Sequence, residues 1–217
     1  MKKIPWKMIV DILMLALLLL QMAYVLTGQR LHEWSGTIMA VLIIFHNILN
    51  RKWYKALGKG SYRPRRIMGT ILNFLSLALI LALFVSGVAM SRYVYDFLPI
   101  HGGRALARKV HIVCAYWGFF LMSAHFGMHW EGIWGKMKKA CPVWVAVGKQ
   151  KLLLSVISTV VSVYGLWAVY RHEILGFLFM KNEFAIFDPN QSIFLFLLDY
   201  AAILILVVNL VRRREHV

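Results

Sequence analysis

Four histidines fall into two equal spacings. His32 and His46 stand fourteen residues apart at the ends of HEWSGTIMAVLIIFH, and His111 and His125 fourteen apart at the ends of HIVCAYWGFFLMSAH. On an α-helix fourteen residues rise about 21 Å and return to within about 40° of the starting direction. Each segment therefore presents two imidazoles on one face. Two imidazoles facing each other across a bundle make the axial pair of a six-coordinate, bis-histidine haem iron. Ionisable groups inside a membrane are costly and as a rule functional, which favours haem ligation by His32, His46, His111 and His125 over satisfied structural histidines.

His129 complicates one end. It follows His125 by four residues in HFGMHW, one turn further along the same face. It is the alternative ligand there, or a proton-handling group beside a quinone, or an interfacial polar residue. His125 is preferred because its spacing copies that of the other helix. His101, His172 and His216 fall in connections or the tail, where exposure without a role is the default. Asp11 and Asp199 stand inside apolar runs, and each is expected to move protons or to pair with a basic group. Gly36, one turn after His32, and Gly118, two turns after His111, lack side chains where a flat macrocycle would approach the backbone. Haem propionates would find cations in Arg92, Arg104, Arg108 and Lys109 near one pair, and in Arg63, Arg65, Arg66 or Lys52 near the other.

Apolar length has to position these groups. Of the 217 residues 60% are hydrophobic and 16% charged, too little polar surface to cover a soluble domain. Six runs reach the roughly 20 residues that a bilayer-crossing helix needs: about 8–28, 32–50, 67–91, 108–130, 150–172 and 193–211. They are unbroken rather than alternating, which selects helices over a barrel. The expected fold class is all-α, a polytopic membrane helical bundle of about six transmembrane helices with a four-helix haem-binding core. Residues 1–217 read as a single integral membrane domain.

The net charge of +16 would suit nucleic acid, but its placement does not. Eighteen of the 25 Lys and Arg residues fall in the segments on one side of the membrane and seven on the other. By the positive-inside rule both termini are then cytoplasmic, with the bacterial cytoplasmic membrane as the expected location and lipids as the surroundings. The second and fourth spans both run from outside to inside, so His32 lies level with His111 and His46 with His125. The first run is expected to be retained, because no small-residue cleavage site stands near Thr27–Gly28.

Cys114 lies in the fourth span and Cys141 in an inside segment, too far apart to bridge. No Cys-x-x-Cys-His run is present, so a haem would be held by ligation and packing alone. Neither a Gly-rich nucleotide fingerprint nor a Walker loop occurs. A soluble electron donor would be another protein or a diffusible molecule. The segment Trp130 to Gly148 mixes tryptophans with lysines and reads as lying in the inner interface. Ile174 to Phe187 carries four phenylalanines and reads as an outer interfacial helix or a partner-docking surface.

With HEWSGTIMAVLIIFH, the Trp53-containing basic loop, SGVAM at the end of the third span and SAHFGMHW closing the fourth, residues 32–130 resemble the two-haem membrane b-type cytochromes, in particular the ferric-reductase-like and related bacterial families. The resemblance implies transmembrane electron transfer through two b-type haems, the outer on His32 and His111 and the inner on His46 and His125. It implies an oxidoreductase subunit linking a quinone pool or cytoplasmic donor to an outer partner or acceptor. The fused flavin and nicotinamide domain of ferric reductases has no counterpart here. Two other classes compete: a haem-free metal or proton transporter or channel using the membrane histidines, and an anchor subunit of a partner enzyme.

Overall fold

The computed structural model describes residues 6–100, 102–140, 143, 150–182 and 191–214. His101, His216, Cys141, Trp144, Phe184 and Phe187 lie outside them. Among the described residues the chain is helical, without strands: α1 Trp6–Met22, α2 Tyr24–Leu49, α3 Arg51–Ala56, α4 Pro64–Met90, α5 Arg104–Ala140, α6 Lys151–Arg171, α7 Ile174–Leu178 and α8 Ile193–Arg214. Four of these, α4, α5, α6 and α8, are long and apolar enough to cross a membrane, where the sequence led us to expect six spans. α1 has 17 described residues. α2 gives up hydropathy to the polar groups it carries, its two histidines among them.

α1 and α2 form an antiparallel hairpin closed at both ends. Lys7 Nζ meets Asn50 Oδ1 at 3.3 Å and Asp11 Oδ1 meets His46 Nδ1 at 2.8 Å. Near the turn, Gln21 donates to Ser35 Oγ at 3.1 Å and to the His32 carbonyl at 3.3 Å. The reversal needs almost no loop. Ala23 is fully buried, one helical turn follows, and Gly28 breaks the helix at φ 80° and ψ 163°, a conformation that a residue with a Cβ rarely adopts. The helix resumes at once, so residues 29–31, which the sequence reading left as a connection, belong to α2.

α3 and the turn after it are held by Arg66. Its guanidinium donates to the carbonyls of Ala56 at 2.6 Å and Ser61 at 3.2 Å and lies over the Tyr62 ring at 4.2 Å. Pro64 then opens α4 from the first turn, where its missing N–H costs nothing. α4 and α5 pack along each other. At 37 residues α5 runs well past the end of the fourth predicted span. It is about 55 Å long against a hydrocarbon core of roughly 30 Å. Trp130 to Ala140, read from the sequence as part of a separate interfacial segment, is therefore a continuation of this helix.

The densest packing lies among α5, α6, α7 and α8. Phe119, Ala168, Ile174, Phe196, Tyr200 and Ile203 are all within 2% of full burial. A Cβ on Gly165 would fall 2.6 Å from the Ala202 carbonyl oxygen, so α6 and α8 touch backbone to backbone. α7 corrects a sequence expectation. Ile174, Phe177 and Leu178 are buried, and Phe177 stacks on Tyr116 with centroids 4.6 Å apart. This part of the aromatic segment is core rather than an interfacial or docking surface. Phe179 alone of its described phenylalanines faces outward.

Candidate functional site

α2 packs closely on α1 and touches α4 sparingly, while α2 and α5 are not packed on one another. What meets across the interval is imidazole. The His32 and His111 rings have centroids 6.0 Å apart with an interplanar angle of 69°, and the His46 and His125 rings 6.4 Å and 70°. The helical phase derived from the fourteen-residue spacing brings each histidine to the partner at its own level. An imidazole nitrogen sits about 2 Å from a first-row metal ion and the ring centre about 1 Å further, so trans imidazoles on one iron have ring centres roughly 6 Å apart. Both pairs fit this separation. The angle between rings is free in such a pair, because both planes contain the axis through the metal.

Ring nitrogens decide whether the fit is chemical as well as metrical. A ligating histidine usually donates its other N–H to a carboxylate, carbonyl or similar acceptor. His46 Nδ1 lies 2.8 Å from Asp11 Oδ1, and His125 Nδ1 lies 2.8 Å from Asn73 Oδ1. His111 Nδ1 lies 3.1 Å from Ser86 Oγ and 3.2 Å from the Leu83 carbonyl. The Ser86 hydroxyl already donates to the Ala82 carbonyl at 2.6 Å, so its oxygen accepts. These three rings thus carry hydrogen on Nδ1 and keep the Nε2 lone pair for a metal. His32 differs: its Nδ1 is buried without a hydrogen-bond partner, and Tyr24 stands edge-on to its ring at 5.1 Å.

His129 lies against His125 with centroids 4.7 Å apart and is exposed; the ring opposite His46 is that of His125. Arg108, one turn before His111, lines a cavity of about 330 Å³ with Arg104, Lys109, Ile112, Met180 and Asn182. The two glycines expected to admit a macrocycle have other neighbours. A Cβ on Gly36 would meet Gln21 of α1 at 3.2 Å, and one on Gly118 would meet Leu83 of α4 at 3.5 Å. Both serve packing between helices. The glycine beside one of the four rings is Gly87, whose Cβ would stand 3.4 Å from His111 Cε1.

Asn73, Ser86 and Glu33 escaped the sequence reading. Asn73 and Ser86 are thirteen residues apart among the few polar residues, with Thr70 and Ser76, of an apolar helix, which was the available signal. Glu33 ties α2 to the end of α4: its carboxylate accepts the Ser91 hydroxyl at 2.6 Å and the backbone N–H groups of Arg92, Tyr93 and Val94 at 2.9–3.0 Å. Nearby, Thr37 Oγ1 and Tyr95 Oη lie 3.2 Å apart.

A second polar cluster sits at the junction of α6 and α8. Asp199 is fully buried and accepts from Tyr164 Oη at 2.5 Å, His172 Nε2 at 2.8 Å and Arg171 Nη1 at 3.3 Å. Of the two roles expected for this carboxylate, pairing with basic groups is the one the geometry displays. His172, read from the sequence as an exposed histidine without a role, is in fact enclosed by this contact and by the Phe196 and Tyr200 rings at 5.3 and 5.4 Å. Cys114 is buried and free. Among the described residues no cluster of three or more His, Cys, Asp or Glu side chains is placed to hold a metal ion by itself; each histidine pair offers two imidazoles, the number a porphyrin-bound iron would need from a protein. No family model, curated protein or solved structure matches the chain.

Proposed function

We propose that this chain is a membrane cytochrome b that carries electrons across the bilayer between two bis-histidine haems, as a subunit of an oxidoreductase. The observation that carries this reading is the two imidazole pairs at 6.0 and 6.4 Å, with Nδ1 of three rings held by an acceptor. His32 and His111 would hold one haem and His46 and His125 the other, and each haem would supply a one-electron couple. The chain's own work is to fix tautomer and azimuth. Asp11, Asn73 and Ser86 each hold an imidazole in the form that leaves Nε2 free. Arg108, one turn from His111, is the proposed propionate partner.

The six-span arrangement belongs to the same reading, with α1 and α2 crossing beside α4, α5, α6 and α8 and both termini cytoplasmic. Pairing His46 with Asp11 and Glu33 with three backbone N–H groups supports it, because α2 then shows few unmatched polar groups to lipid. A quinone pool or a cytoplasmic donor would deliver electrons, and an outer partner or acceptor would take them.

The test is the visible spectrum of the purified chain, expressed with haem supplied. A reduced b-type band with two haems per chain is expected, falling by about one haem in His46→Ala and in His111→Ala. No such band in the wild type, or both haems kept by either variant, would sink the proposal.

A further inference from the structure

The two levels differ in what stands behind their ligands. At one, His46 donates to a carboxylate and His125 to a carboxamide oxygen, both at 2.8 Å. At the other, His111 shares a hydroxyl and a backbone carbonyl at 3.1 and 3.2 Å, and His32 Nδ1 has no acceptor. A carboxylate draws the Nδ1 proton toward itself and raises the basicity of Nε2. A more basic axial ligand favours the ferric over the ferrous ion and lowers the potential of the iron it binds.

We infer that Asp11 makes the His46–His125 level the low-potential end of the pair, so that electrons run from it toward the His32–His111 level. The inference rests on the haem reading above. The haem held by His46 and His125 would give up one electron and the haem held by His32 and His111 would take it, with no bond made or broken.

The other level also has a carboxylate, Glu33, which acts on His32 through space and not through a hydrogen bond. Glu33 follows His32 in sequence, but its carboxylate is occupied by the Ser91 hydroxyl and three backbone N–H groups, and it is not hydrogen-bonded to either imidazole. Lys7, one turn before Asp11, directs its amine to Asn50 Oδ1 at 3.3 Å. The Asp11 carboxylate thus stays directed at the ring of its ligand. Asp11 is a positioning residue that acts through His46.

Redox titration of the haem-loaded full-length protein, followed by its visible bands, tests this. Two one-electron midpoints are expected in the wild type, and His111→Ala should retain only the lower. Asp11→Asn should raise the lower midpoint alone by about tenfold in the reduction equilibrium, which is about 59 mV for one electron. Asp11→Glu should restore most of that shift. A lower midpoint unmoved by Asp11→Asn, or a shift in the higher one instead, overturns the inference while leaving the haem reading intact. If Asp11→Asn loses a haem, retention by Asp11→Glu at the low midpoint sustains the inference, and loss by both overturns it. Absence of haem from the wild type is seen before any variant is made and removes both proposals together.

Discussion

The halves of this molecule solve burial in opposite ways. From α5 to α8 the interior is filled by large side chains, Phe119, Phe196, Tyr200 and Ile203, around the buried carboxylate cluster of Asp199, and backbones meet at Gly165. From α1 to α4 the buried side chains are few, and Ser35, Ser76, Ser86 and Ser91 outnumber the apolar Met8, Met14 and Ala23. Ser35 and Ser86 return their hydroxyls to carbonyls of their own helix at 2.6 Å. A region that buries serines and leaves imidazoles facing across a gap is not built to be held by its own apolar contacts. The dense half is the scaffold, and the open half is where a bound group would complete the packing.

The sharpest way to break this contrast is at α6–α8. Gly165→Val puts atoms inside the Ala202 carbonyl, so the helices must separate. The largest loss of stability is expected here, read as a fall in thermal midpoint in detergent, with the surviving folded protein keeping the wild-type haem content. A variant as stable as the parent would mean that the two backbones are not in contact.

Next in size is Asp199→Ala. It leaves His172 Nε2 without its acceptor in a nearly enclosed position, while Arg171 and Tyr164, both partly exposed, turn to solvent; a buried donor left unsatisfied costs about 1–3 kcal/mol. Equilibrium unfolding should report it, again without change in haem content. If haem were lost instead, the two halves would not be separable.

The smallest effect belongs to Gly118→Ala. The new methyl group finds Leu83 at an ordinary 3.5 Å, and replacing glycine by alanine in a helix contributes roughly 0.5–1 kcal/mol of stability. Unchanged haem binding with equal or slightly raised stability is expected. A loss of haem would return Gly118 to the lining of the proposed haem site.

The histidine pairs were more legible in the sequence than the dense core. Helical geometry is periodic, so the spacing of His32 with His46 and His111 with His125 translates into faces without knowledge of the fold. What stands behind each ring is a matter of which helices become neighbours. Asn73 reaches His125 across 52 residues and Asp11 reaches His46 across 35, and no local pattern announces either contact. His172 failed for the same reason. It follows α6 at a chain reversal that looks exposed in sequence, and α8 then closes over it. Gly36 and Gly118 misled because an absent side chain signals a close approach but not by what.

Gly28 has one more consequence. Because the reversal consists of Ala23, one helical turn and the positive-φ Gly28 rather than a loop, the chain carries little slack between α1 and His32. Each residue of helix is about 100° of rotation, so the azimuth of α2 is geared to that of α1. The first hairpin acts as a gauge: whatever fixes α1 in place also sets the angle at which His32 and His46 address their partners.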